Sequence, residues 1–140
     1  MTPDEIDLLG RRLGRHADAI RRGLAEVRTR AEGMTWTGPA RQRFDHDLGR
    51  ELKAGARLAD DIAHCAADLR EAGRRLDEIL TGLRADERDV RDAYPAYLRE
   101  QGIEGPVFQA AIAELPDPLD PEWARLARRV LGHTHTRGLL

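Results

Sequence analysis

Cysteine is almost missing from this chain. Cys65 is the only one in 140 residues, so no disulfide scaffold is available. Aromatic residues make up 4%, two each of Trp, Tyr and Phe, and no run alternates with period two. That excludes a β-sandwich, whose strands favour β-branched and aromatic residues. No stretch approaches the roughly 18 apolar residues of a membrane span, so no stable membrane insertion is expected. The opening Met1-Thr2-Pro3-Asp4-Glu5 is acidic and lacks an apolar core, so no cleavable signal peptide is expected. A basic excess is also lacking. Net charge is −2 overall, with +1 over residues 1–38, −2 over 39–92 and −1 over 93–140. Phosphate neutralisation needs a basic excess, so nucleic acid is not an expected partner. Lys53 stands alone against 22 arginines, a pattern of GC-rich coding rather than of chemistry.

What the chain does have is charge and aliphatic side chains. Charged residues make up 34% and hydrophobic residues 41%, a mix that suits long amphipathic helices. Acid precedes base at i,i+4 in Asp7–Arg11, Asp18–Arg22, Glu26–Arg30, Glu71–Arg75 and Glu87–Arg91. This is the favourable order on a helix, worth ~0.2–0.5 kcal/mol per pair.

The helices are written in sevens. Thr2-Pro3-Asp4-Glu5 supplies a cap, a proline at the first helical position and a glutamate three residues after the cap. A stripe of Ile6, Leu13, Ile20, Val27 and Met34 follows, accompanied by Leu9, Ala17, Leu24 and Ala31. The spacing predicts helix 1 from about residue 3 to about 33, stopped by Gly33 and the Thr35–Gly38 cluster. Pro39 opens a second helix with the stripe Leu48, Gly55, Ile62, Leu69, Leu76, Leu83 and Val90. Leu52, Ala59, Ala66, Gly73 and Leu80 flank it. Helix 2 is expected to end near residue 92, because Asp92-Ala93-Tyr94-Pro95 should break it. A short link, residues 34–38, makes the pair antiparallel neighbours: an all-α, two-helix hairpin over residues 1–92.

The expected lengths differ, about 46 Å against about 80 Å. Leu76, Ile79, Leu80, Leu83 and Val90 therefore lack a partner inside the hairpin. A second copy, forming a four-helix bundle, or the C-terminal extension should cover them.

The link reads Met34-Thr35-Trp36-Thr37-Gly38-Pro39. Gly38 permits a tight reversal and Trp36 brings a large apolar surface with one N–H. A Trp-x-Gly triplet between two long helices, with Phe44 early in the second, resembles the WXG family, the small helical-hairpin proteins of the type VII (ESX) secretion pathway. The resemblance covers about two thirds of the chain. It implies a non-enzymatic protein, exported from an actinobacterial cell without a cleaved signal as a folded dimer, or held in the cytoplasm before export. The implied partners are itself or a paired WXG-like protein, the type VII secretion ATPase, and a larger effector for which it acts as adaptor. Trp36 and Gly38 would form part of the recognised surface. The family's Tyr-x-x-x-Asp/Glu signal after helix 2 is imperfect here: Tyr94 is followed four positions on by Leu98, and Tyr97 by Gln101, with Glu100 one position short.

Residues 93–140 extend beyond the resemblance. Val107, Phe108, Ala111, Ile112 and Leu115 predict a short helix, 115–121 a stiff Pro-rich linker, and Trp123, Leu126, Ala127, Val130 and Leu131 a last helix capped by Asp120 and closed by Gly132. Residues 133–140 are expected to be a mobile tail.

No residue set points to catalysis. His133-x-His135 offers two metal ligands, too few for a tight site. His64 and Cys65 are adjacent and point apart, with Cys65 read as a small packed residue. His46 between Asp45 and Asp47, like Asp60-Asp61 and Asp77-Glu78, reads as a solvated face. No glycine-rich phosphate loop is present. The expectation is no enzyme, no cofactor and no metal. The rival function is a cytoplasmic coiled-coil scaffold in which the Trp-x-Gly triplet is coincidence.

Overall fold

The structure is a computed structural model describing residues 1–138. Leu139 and Leu140, assigned from sequence to the mobile tail, lie outside the described residues. The described chain is all-helical: α1 (Pro3–Glu32), α2 (Pro39–Glu100), α3 (Gly105–Ala113) and α4 (Glu122–Leu131). None of these helices is long and apolar enough to cross a membrane.

α1 starts where its cap specifies. The Glu5 N–H donates to Thr2 Oγ1 at 3.2 Å, and the Thr2 N–H donates to the Glu5 carboxylate at 2.7 Å. That reciprocal pair satisfies two donors the first turn leaves open. It also holds the Glu5 carboxyl below its usual range, chiefly through the Thr2 N–H.

α2 corrects the expected end at residue 92. The helix runs through Pro95 to Glu100. A proline inside a helix removes one hydrogen bond and disfavours the turn by roughly 3 kcal/mol. Burial downstream offsets this: Leu98 is buried and Tyr94 packs on a hydrophobic core, and burying a leucine alone is worth about 1.5–3 kcal/mol. The true stop is Gly102, at φ 75. The Ile103 N–H donates to the Leu98 carbonyl and the Gly102 N–H to that of Arg99, both at 3.0 Å. This double bond pattern needs a left-handed residue, which glycine adopts without strain.

The chain divides into two compact units, Met1–Arg74 and Arg75–Leu140. In the first, contacts fall along α2 as numbering rises along α1. A side chain at Gly73 would meet Pro3 and Ile6, one at Gly10 would meet Ala66 and Arg70, and one at Gly55 would meet Leu24. Arg21 pairs with Asp60 at 2.9 Å. The buried positions are all small: Gly10, Ala17, Ala31, Ala59, Ala66 and Gly73. The heptad leucines and isoleucines expected to fill the seam stand half-buried or exposed beside it. Two helices meeting through small residues approach closely and leave larger side chains no third layer to enter.

The second unit has the conventional core. Leu83, Val90, Trp123, Ala124, Leu126 and Ala127 are buried together, with Ile79, Tyr94, Leu115, Val130 and Leu131 packed against them. α4 begins at Glu122 with Pro121, rather than the expected Asp120, at its cap position, although the Asp120 carboxylate just before it still accepts from the Glu122 N–H at 2.8 Å. It ends at Gly132, φ 80.

Candidate functional site

The link between α1 and α2 is built around an arginine that the sequence reading passed over. Arg41, one turn into α2, reaches back to the end of α1 and to the link that follows it. Its Nη2 donates to Ala31 O at 2.8 Å and its Nη1 to Met34 O at 3.1 Å. Its Nε donates to Asp45 Oδ1 at 2.9 Å. The last carbonyls of a helix lack intrahelical partners, so a guanidinium there satisfies them and suits the negative end of the helix dipole. The signal was present in the sequence as Arg41–Asp45 at i,i+4.

Trp36 lies on this scaffold, 44% exposed. Its ring is tilted by 56° against Phe44, centroids 5.5 Å apart, and the Arg41 guanidinium carbon stands 6.0 Å from its centroid. Gly38 holds φ 102, and nothing lies within 4 Å of where its side chain would be. The backbone angle, rather than crowding, is what requires glycine here. The turn therefore presents an indole face with Met34 also exposed beside it in sequence.

Tyr94, Tyr97 and Glu100 do not follow helix 2; they lie within it. The two tyrosine rings stack at 6.0 Å and 14°. Tyr94 packs on the core, while Glu100 is exposed. Of the unpartnered stripe, Leu83 and Val90 are buried under α4 and Ile79 packs against the same cluster; Leu76 and Leu80 are half-buried. Trp123 dominates this cluster. It is fully buried, its indole N–H donates to Asp117 O at 2.8 Å, and Arg91 stands over its ring at 4.9 Å.

Residues 134–136, expected to be mobile, are docked on α2. Asp86 is 0% exposed and accepts from Thr134 Oγ1 at 2.5 Å, the His135 N–H at 2.7 Å and Thr136 Oγ1 at 2.7 Å. His135 Nε2 meets Asp89 Oδ2 at 2.7 Å. That contact, followed by Arg88, holds the Asp89 carboxyl below its usual range. A buried carboxylate demands such donors. Asp86 stands three residues after Leu83 and four before Val90, on the apolar face, a placement that asks for partners. His135 is thus held, and among the described residues no group of three or more His, Cys, Asp or Glu is arranged to hold a metal. Cys65, expected to pack, is exposed.

Compared with protein-family models, with curated proteins and with solved structures, the chain matches none.

Proposed function

We propose that this chain is a non-enzymatic helical-hairpin protein of the WXG type, associated with type VII secretion, and that it works by pairing its first unit with a second hairpin. One observation carries the reading. The first unit buries only glycine and alanine, while Leu8, Leu9, Val27, Met34, Trp36 and Leu58 are 38–53% exposed. A pair of helices in that condition has little core of its own and gains most from a second pair laid on its apolar faces. The exposed Trp36 at a glycine turn between two long helices fits the same reading, as a point of contact for a secretion ATPase or a paired protein. A four-helix bundle, homodimeric or shared with a WXG-like partner, follows, and the protein is exported in that form or escorts a larger effector.

Two measurements test this. Light scattering on the purified chain, alone and mixed with hairpin proteins encoded nearby, should report twice the chain mass or a one-to-one complex. A monomer in every mixture overturns the pairing. Export from a host carrying a type VII ATPase should stop with Trp36→Ala or Gly38→Ala. Pairing that persists while export is insensitive to both substitutions favours the cytoplasmic scaffold.

A further inference from the structure

We propose that the face of α2 carrying Gly82, Asp86 and Asp89 is a recognition site for a Thr-x-Thr peptide segment, and that Thr134–Thr136 is its resident but exchangeable occupant. The site lies wholly in the second unit and does not depend on the secretion reading.

Three features make the site selective. Gly82, Asp86 and Asp89 fall at i, i+4 and i+7, one helix face. Gly82 is the floor: a Cβ there would lie 2.7 Å from His135 O and 2.9 Å from Thr136 Cα, both backbone atoms that have nowhere to go. Only a bare helix surface lets the segment's main chain sit this close. Asp86 is the reader. Its hydrogen bonds all come from the segment: two hydroxyls two residues apart and the N–H between them. Among the described residues no cation pairs with it. A segment lacking the hydroxyls would bury that carboxylate with most of its bonds unmade, the arrangement by which polar sites reject analogues most strongly. Asp89 adds the His135 ring, and the Thr134 hydroxyl also accepts from the Thr136 N–H at 3.0 Å, fixing the segment's curl.

Other features make the occupant exchangeable. Residues 133–138 contain no aliphatic or aromatic hydrocarbon side chain to anchor them. His133, His135 and Arg137 are exposed, and Thr136 alone of the segment is buried. The segment hangs from α4 by Gly132 in the left-handed conformation. When it leaves, Asp86 is solvated by water instead of being orphaned, so both states are tolerable. An open depression of about 600 Å³ continues from Gly82 past Asp77 to Arg137, so the space beside a basic residue after the second threonine also holds the Asp77 carboxylate. The ligand is thus a Thr-x-Thr segment followed by a basic residue, and its source is a second copy of this chain, whose residues 134–137 carry that pattern.

The full chain tests this in two complementary forms. Thr134→Val with Thr136→Val disables the resident segment and leaves the socket. Gly82→Ala blocks the socket, leaves the segment intact, and places a better helix former in α2. A labelled peptide of residues 132–138 should bind the double-valine chain saturably. It should bind the same chain carrying Gly82→Ala at least tenfold more weakly, and a peptide with both threonines replaced by valine should also bind at least tenfold more weakly. Mixing the double-valine chain with the Gly82→Ala chain should give a one-to-one complex. Peptide binding without that complex overturns the second copy as the source. Equal binding of both peptides, or no binding at all, overturns the proposal. Should the double-valine chain fail to fold, amide exchange in the unmodified chain decides: the His135 amide should be protected, and Gly82→Ala should release it at least tenfold while amides of α4 keep theirs. An unprotected His135 amide, or protection unchanged by Gly82→Ala, refutes it.

Discussion

Leu83→Ala isolates the second unit's core from everything else in the chain. Leu83 is 2% exposed and packs with Val90, Trp123 and the small residues of α4. The substitution deletes three carbons, worth about 0.8 kcal/mol each, or roughly 2.4 kcal/mol of transfer free energy. The cavity that remains raises the loss to about 3–4 kcal/mol, because Trp123 is too large and too firmly hydrogen-bonded to Asp117 to move into it. A unit of this size holds about 3–10 kcal/mol in total, so much of its stability goes. The two tryptophans make the assay clean. Trp36 is half-exposed in the first unit and Trp123 fully buried in the second, so Trp36→Phe leaves an emission signal from Trp123 alone. In that background, urea titration followed by Trp123 emission should show Leu83→Ala unfolding at a much lower midpoint than the parent. Exchange protection of α1 amides should hardly change. An unshifted midpoint would mean that α4 does not cover Leu83, and the description of this core would be wrong.

Further outcomes follow from particular contacts. Gly49→Ala, with nothing within 4 Å of the new methyl, should stabilise α2 by about 0.5–1 kcal/mol, whereas Gly73→Ala places a methyl 3.0 Å from the Pro3 carbonyl and should lower the thermal midpoint of the first unit. Arg41→Ala removes the guanidinium's bonds to the Ala31 carbonyl in α1 and to the Met34 carbonyl in the link, and at about 0.5–1.5 kcal/mol per bond it should destabilise the first unit by about 1–3 kcal/mol, seen as faster exchange of the last α1 amides. The Asp89 carboxyl is held down by the docked His135, so the contribution of this pair to docking is complete above the ordinary carboxylate range and is lost as pH falls through the lowered value. His135 amide protection should therefore weaken on acidification below about pH 4, and Asp89→Asn should remove that component; a profile identical in the variant would rule the pair out.

Helices 1 and 4 are legible in the sequence because each carries its own punctuation, the Thr2–Glu5 box and Gly33 for α1 and Gly132 for α4, whereas α3 is legible only from its apolar spacing. α2 was read too short because Pro95 is a local signal, while the burial of Leu98 and Tyr94 that overrides it is tertiary. Gly102 was the better stop, and it stood in plain view. The heptads announced long helices correctly but misassigned their interior, since the period says which face turns inward and not which of two neighbouring rows touches. The docked segment was missed for a different reason. Thr134-His135-Thr136 has no periodicity and no apolar residue, so nothing local predicts its order; only the carboxylate of Asp86, stranded on an apolar face, hints that something polar must come to it.

The all-glycine-and-alanine interior of the first unit reverses the usual map of tolerance to sequence drift. In most domains the bulky aliphatic residues are the ones that cannot change. Here an added methylene at Ala17 or Ala59, each fully buried, would wedge α1 and α2 apart, whereas trimming Leu58 or Val27 leaves the pair in place. The small residues are therefore the positions with least room for change, and the outward side chains are constrained only by whatever companion the surface meets.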